Sequence, residues 1–303
     1  MGYNCTFKDC LERSERVTWR IEDVIGGEKT LDFTRAFMPE PLARVQGLDF
    51  LSETEKRILN QIRGHAYLRI FGLVEEFILP FVLDHARSIA NGEDYRMRAY
   101  LEFAGEEAKH IHLFHRFAED FDRGFGTACD VIGPGEAVAK HILSHHPLSV
   151  ALVILHIEWM TQRHYVDSVR DDDRLDPCFK SLLKHHWMEE MQHAQLDAMM
   201  VEAMANGMPA AEIEAAIDGY WAIGAFLDDG LKQQMQFDLA AFERAVRRTL
   251  NPEERKAFMD VQLQANRWTY LGSGMSHPRF VETMGMLNKE KQRLLLEAVP
   301  AFS

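Results

Sequence analysis

Four cysteines in 303 residues are too few for a disulfide framework, and Cys5, Cys10, Cys129 and Cys178 do not have the spacing of zinc ligands. No run of basic residues occurs. With 47 acidic against 34 basic side chains the net charge is −13, which argues against nucleic acid or an anionic membrane as a partner. Long apolar stretches are also missing: residues 68–83 are broken by Arg69, Glu75, Glu76 and Pro80, so no membrane span is expected. Lys8, Asp9, Glu12 and Arg13 interrupt any apolar core near the N-terminus, which leaves no signal-peptide pattern, and a cytoplasmic protein is expected. Met1-Gly2 through Thr6 has the form of a myristoylation acceptor, a loose pattern to which we give little weight. Alternation of apolar and polar residues is nowhere sustained, so strands are not expected. A flavin or nicotinamide fingerprint is absent as well. Any redox chemistry therefore needs an external electron donor, a reductase or a ferredoxin.

What is present is helical text. An apolar content of 47% is enough for a sizeable core. Residues 1–51 are irregular, with Trp19, Ile21, Val24, Ile25 and Phe33 scattered among charges and glycines, and Pro39 and Pro41 near the end. They read as an arm lying on the body, placed to serve an interface in a homodimer. Ser52-Glu-Thr-Glu55 is a capping box that opens a helix running to about residue 90, where Asn91-Gly92 stops it and Pro80 kinks it. A second helix is expected over 94–123, a connection with one short helix at 136–145, and a third long helix over 148–170. Asp176-Pro177 opens the fourth, which ends at Asn206-Gly207. Helices over 210–250, 252–270 and 278–298 follow. The chain thus divides into an arm (1–51), a four-helix bundle (52–207) and a C-terminal helical extension of the same domain (208–303), all-α throughout.

The chemistry concentrates in the fourth helix, where His186, Glu190 and His193 stand at i−4, i and i+3 and share one face. Imidazole and carboxylate together suit iron, manganese or zinc. An earlier stretch, Glu106-Glu107-Ala-Lys-His110, repeats the acid-Glu-x-x-His form of Glu189-Glu190-Met-Gln-His193. If the four long helices form an antiparallel bundle, Glu75, Glu107, Glu158 and Glu190 all fall roughly 20 Å from their shared turns, at ~1.5 Å per residue. Apolar residues surround them, among them Phe71, Ile78, Phe103, Phe114, Ile154 and Leu155. Burying four carboxylates there costs several kcal/mol each unless cations compensate. Two divalent cations do so, and Glu from two helices with Glu-x-x-His from two others is the di-iron or di-manganese carboxylate arrangement. Glu106 and Glu189 are then placed to hydrogen-bond the outward N–H groups of the histidines. On helix one, Glu75 is preferred to Glu76 for its more apolar neighbours. His112, His115, His141, His145, His146, His156 and His164 lack a carboxylate at ligand spacing and are assigned to the surface or to supporting positions.

Residues 53–206, through Glu75, Glu107-x-x-His110, Glu158 and Glu190-x-x-His193, resemble ferritin-like di-iron proteins, a superfamily that includes acyl carrier protein desaturases and bacterial hydroxylase components. His186 resembles the additional histidine of the para-aminobenzoate N-oxygenase family, whose fourth bundle helix carries His-x-x-x-Glu-x-x-His. The resemblance implies a ferritin-like bundle holding two iron ions (Mn/Fe or Mn/Mn also satisfy the ligand types) through Glu75, Glu107, His110, Glu158, His186, Glu190 and His193. It further implies O2 activation to oxidise a small organic substrate, with N-oxygenation of an arylamine as the specific form. Hydroxylation or desaturation of an acyl or aliphatic substrate is one alternative, and non-catalytic metal handling is another. Phe71, Phe103, Phe114, Ile154, Trp159 and Tyr165 are the residues from which a substrate channel would be built.

Overall fold

A computed structural model describes residues 5–88 and 94–303. The expected stop at Asn91-Gly92, like the Met1-Gly2 pattern, lies outside the described residues. In chain order the helices are α1 (Phe7–Ser14), α2 (Ile21–Val24), α3 (Glu40–Ala43), α4 (Glu53–Ser88), α5 (Asp94–Phe125), α6 (Gly135–Leu143), α7 (Pro147–His164), α8 (Pro177–Ala205), α9 (Ala210–Val246), α10 (Pro252–Arg267), α11 (Ser273–Met275), α12 (Pro278–Leu287) and α13 (Lys289–Ala298). Among the described residues there is no strand, only two isolated bridges. The fold is all-α, a four-helix bundle of α4, α5, α7 and α8 extended by C-terminal helices.

The starts of the long helices are written in the sequence. Ser52 and Glu55 exchange backbone and side-chain hydrogen bonds across the first turn of α4. The Asp176 carboxylate accepts from the Phe179 N–H at 2.6 Å, and Pro177 occupies the first helical position of α8. Gly207, at φ +80°, supplies the left-handed residue that closes α8. Other ends differ from the sequence reading. Helix α9 stops at Val246, four residues early, because Arg247 adopts φ +53°. The span 278–298 is two helices: Asn288 leaves the helical region (φ −159°, ψ 113°) and its side chain caps the N–H groups of Glu290 and Lys291. The third and sixth expected helices both pass into π-turns, at Tyr165–Val169 and Trp268–Gly272.

Packing is organised around α7. Every residue from Leu148 to Gln162 is buried, so this helix has no solvent face and lies between α8, α9 and α11. In α4, residues 59–75 are buried except for the half-buried Arg69. The bundle pairs α4 with α5 and α7 with α8, and α5 faces α8. Residues of the N-terminal segment enter the core: Cys10 and Leu11 of α1 are buried against α5 and α8, and the Phe37 ring stacks on Phe179 at 5.3 Å.

A buried polar tie joins the bundle to the C-terminal helices. Arg63 of α4 meets Asp238 of α9 at 3.4 Å and hydrogen-bonds Asn266 of α10, and Gln234 donates to Asp238 at 2.8 Å. Burial raises the Asp238 carboxyl, and the Arg63 guanidinium opposes that rise. Arg63→Ala is expected to lower stability by about 3–5 kcal/mol, because it strands a buried acid. The double variant Arg63→Met with Asp238→Leu is expected to recover most of that loss. Urea unfolding midpoints measure both.

Candidate metal centre

Four helices aim their acids and imidazoles at the middle of the bundle. Glu75, Glu107, His110, Glu158, His186, Glu190 and His193 are all buried, none more than 2% exposed. Two sets have ligand atoms within 4.8 Å of one another: Glu75, His110, His186 and Glu190, and Glu107, His110, Glu190 and His193. Glu190 and His110 belong to both. Glu190 Oε1 lies 2.7 Å from His186 Nε2 and 3.0 Å from His110 Nδ1, while its Oε2 lies 3.3 Å from His193 Nδ1. Glu75 Oε1 is 3.2 Å from His186 Nε2, and Glu107 Oε1 is 2.9 Å from His193 Nδ1. Glu158 stands outside both sets but shares a hydrogen bond with Glu190. Glu76, the neighbour of Glu75, faces outward, with an oxygen 3.8 Å from His115.

The outer nitrogens are tied crosswise. Glu189 of α8 accepts from His110 of α5 at 2.8 Å, and Glu106 of α5 accepts from His193 of α8 at 2.8 Å. Each acid beside a Glu-x-x-His motif thus serves the histidine of the other motif, which fixes the outward tautomer of both rings. The acids are anchored in turn. Lys109 donates to Glu189, and Ser14 of α1 donates to Glu106. Aromatic rings exclude water from the rest: Phe103 stacks on His193 at 3.9 Å, and Phe71 and Phe114 set their edges against His186 at 5.6 and 5.0 Å. Trp19 lies parallel to His110 with the Lys109 ammonium 4.1 Å above its ring.

With the proton of His110 on Nε2, its Nδ1 presents a lone pair to carboxylate oxygens, and neither that nitrogen nor Glu190 Oε1 finds hydrogen-bond geometry. Both oxygens of Glu107, Oε2 of Glu75 and Oε2 of Glu158 are buried and unsatisfied as well. Such a gathering of bare donors around a point fits a pair of divalent cations and little else. In the metal-free chain, protons take up part of this role. Burial depresses the His110 imidazolium, but Glu189 and Glu190 outweigh it and lift His110 to about 9. His193 and His186 are raised in the same way, against burial, chiefly by Glu190. Glu158 is raised by burial and then by the charge of Glu190, so it holds a proton.

Some members of this centre escape a reading of the sequence. Asp197, one turn beyond His193, is 1% exposed, and burial followed by the Glu190 charge keeps its carboxyl protonated. The pattern His193-x-x-x-Asp197 was the available signal. Ser14, Lys109 and Trp19 gave none. Of the supporting histidines, His164 accepts no charge and bridges Tyr67 Oη (3.3 Å) to Ser273 Oγ (3.1 Å). His156, also buried, pairs with Tyr220 Oη at 2.9 Å. Of the six expected channel residues, Phe71 lines a cavity between α4, α6, α7 and α9. Phe103 and Phe114 pack on the histidines, Ile154 is core, Trp159 stacks on His277 and Tyr165 on Trp187. Aromatic content at helical spacing marks burial, not an opening.

No family model matches the sequence, and no curated protein matches it significantly. Similar solved structures include an R2-like ligand-binding oxidase with an aerobically reconstituted Mn/Fe cofactor, at 16% identity over 87% of this chain and 92% of that chain, TM-score 0.48. A variant of an R2-like ligand-binding oxidase with an aerobically reconstituted Fe/Fe cofactor is similar at 16% identity, over 87% and 92% of the two chains, TM-score 0.48. Another variant, with an anaerobically reconstituted Mn/Fe cofactor, shows 15% identity over 87% and 93%, TM-score 0.45.

Proposed function

We propose that the protein is a non-haem di-metal oxidoreductase that uses O2 to oxidise a small organic molecule, with N-oxygenation of an arylamine as the specific reaction. The observation that carries this reading is the pair of ligand sets joined by Glu190. Glu75, His110 and His186 would hold one cation and Glu107 and His193 the other, with Glu190 offering one oxygen to each. Two iron ions, or manganese with iron, suit these nitrogen and carboxylate donors, and when reduced they supply the electrons and the open positions for O2 chemistry. A third imidazole makes the site less anionic than one with the two histidines of the paired Glu-x-x-His motifs alone, which is the feature favouring amine oxygenation.

The chain's own contribution is positioning. Glu106 and Glu189 hold the N–H of His193 and His110 and keep their inner nitrogens bare for a ligand bond. Phe71, Phe103 and Phe114 keep water off the imidazoles. In the metal-free chain Glu158 is raised by burial and by the neighbouring Glu190 charge, with which it shares a hydrogen bond. Electrons come from an external donor, a reductase or ferredoxin.

Elemental analysis of protein expressed with iron is expected to give two metal ions per chain. His193→Ala should lose metal, Glu189→Gln should weaken metal binding about 10–100-fold, and Glu76→Gln should change nothing. Reduction and O2 exposure in the presence of aniline should yield its N-oxygenated product. A single zinc, or no metal, unaffected by His193→Ala, would overturn the reading.

A pH dependence follows from His110. Its folded value of about 9 lies above the ordinary 6.5, so its stabilisation of the metal-free chain is complete below 6.5 and is lost as pH rises through 9. Cations compete with that proton, so metal affinity should rise over the same interval. The gap in melting temperature between metal-loaded and metal-free protein is therefore expected to widen between those two pH values.

A further inference from the structure

A cavity of about 420 Å³ lies between α4, α6, α7 and α9, outside the ligand cluster. Its inner wall is made by Phe71, Val74, Ile157, Met160, Leu231 and Tyr270. Phe71 belongs to this wall and also sets its ring edge against His186 at 5.6 Å, so one ring separates the cavity from an imidazole of the metal centre. Apart from the Tyr270 hydroxyl, which is buried without a hydrogen-bond partner, the polar side chains of the lining stand toward solvent, where His141, Asp229 and Gln233 are exposed. A second cavity of about 200 Å³ adjoins it and shares Ile157, Leu227 and Tyr270 as wall. Gly224 of α9 lines this second space, and a Cβ there would meet no atom within 4 Å. Glycine inside a long helix lowers its stability relative to alanine. A side chain at this position would project into open space.

Charge decides what can enter. Neither a lysine nor an arginine lines either cavity; the acids are Asp229 at the first and Asp228, already paired with Arg267 and Lys232, at the second. A carboxylate entering here would lose its hydration and meet neither a lysine nor an arginine, His141 standing only at the exposed end. A flat, neutral ring loses little and gains the faces of Phe71 and Tyr270.

Resting on the oxygenase reading above, we propose that this cavity is the docking site of the organic substrate. It takes an uncharged aromatic ring, and it discriminates against acids, including aromatic amino acids such as aminobenzoates. The selection lies in the wall between α6, α7 and α9, not in the metal ligands.

Calorimetric titration of the full-length, metal-loaded chain with aniline, toluene and benzoate tests this. Aniline and toluene should bind, with benzoate at least tenfold weaker. Leu227→Trp fills the shared wall and should weaken aniline at least tenfold with metal content unchanged. Val138→Arg, at a half-buried cavity position on α6, should tighten benzoate at least tenfold, and it keeps the proposal testable if Leu227→Trp does not fold. Benzoate binding as tightly as aniline in the unaltered chain would overturn the proposal, as would aniline binding unmoved by Leu227→Trp. His193→Ala separates the two readings: it should lose metal and still bind aniline. Metal present with no aniline bound sinks the cavity alone; aniline bound with no metal in the unaltered chain sinks the oxygenase alone.

Discussion

Negative charge crowded around Glu190 is the constraint to which the interior of this bundle answers. Glu75, Glu107 and Glu158 approach it from three other helices, and no solvent reaches any of them. Such a cluster survives only with positive charge at its centre, whether supplied by protons on His110, His186 and His193 or by metal. The supporting groups follow from that requirement. Glu106 and Glu189 would add to the burden if they faced inward; they face outward and are partnered by Ser14 and Lys109.

The remainder of the architecture encloses α7. A helix buried on every face cannot lie at a surface, and α9, α11 and α12 supply the cover that a bare four-helix bundle lacks. The C-terminal helices are therefore part of the same core, joined to it by the Arg63–Asp238 pair and by the His164–Ser273 and His156–Tyr220 hydrogen bonds. They also make the far wall of the cavity beside Phe71, which a bundle ending at Ala205 would leave open to water.

The course of the long helices was legible because their punctuation is local: the Ser52–Glu55 box, Asp176-Pro177 and Gly207 each act within one turn. The convergence of Glu75, Glu107, Glu158 and Glu190 was legible because rise per residue converts sequence separation into height. The reciprocal use of Glu106 and Glu189 was half legible, in that each was expected to hold a histidine, but which one depends on the rotation of α5 against α8. Other features depend on distance in space alone. Ser14 reaches Glu106 across 92 positions of sequence, and Trp19 finds His110 only because the segment before α2 crosses α5. The break at Asn288 was missed because the helix formers Lys289 to Arg293 follow it with no glycine or proline to mark a stop, while the asparagine side chain competes for the backbone. The cavity was misplaced because Phe103 and Phe114 look the same in sequence whether they pack against imidazole or border a void.

The crosswise bonds between α5 and α8 have a consequence for how the protein is made. His110 depends on Glu189 and His193 on Glu106, and both ligand sets need Glu190, so nothing able to hold metal exists until α8 has been synthesised. At about 5–20 residues per second, roughly a hundred residues of further synthesis separate His110 from the end of α8, so Glu75, Glu107 and His110 wait on the order of ten seconds unsatisfied. During that interval α4 and α5 carry acids that repel each other across the hairpin they form. Maturation is therefore ordered by the chain itself: synthesis first, bundle closure second, and metal last, with the final helix of the bundle deciding when loading begins.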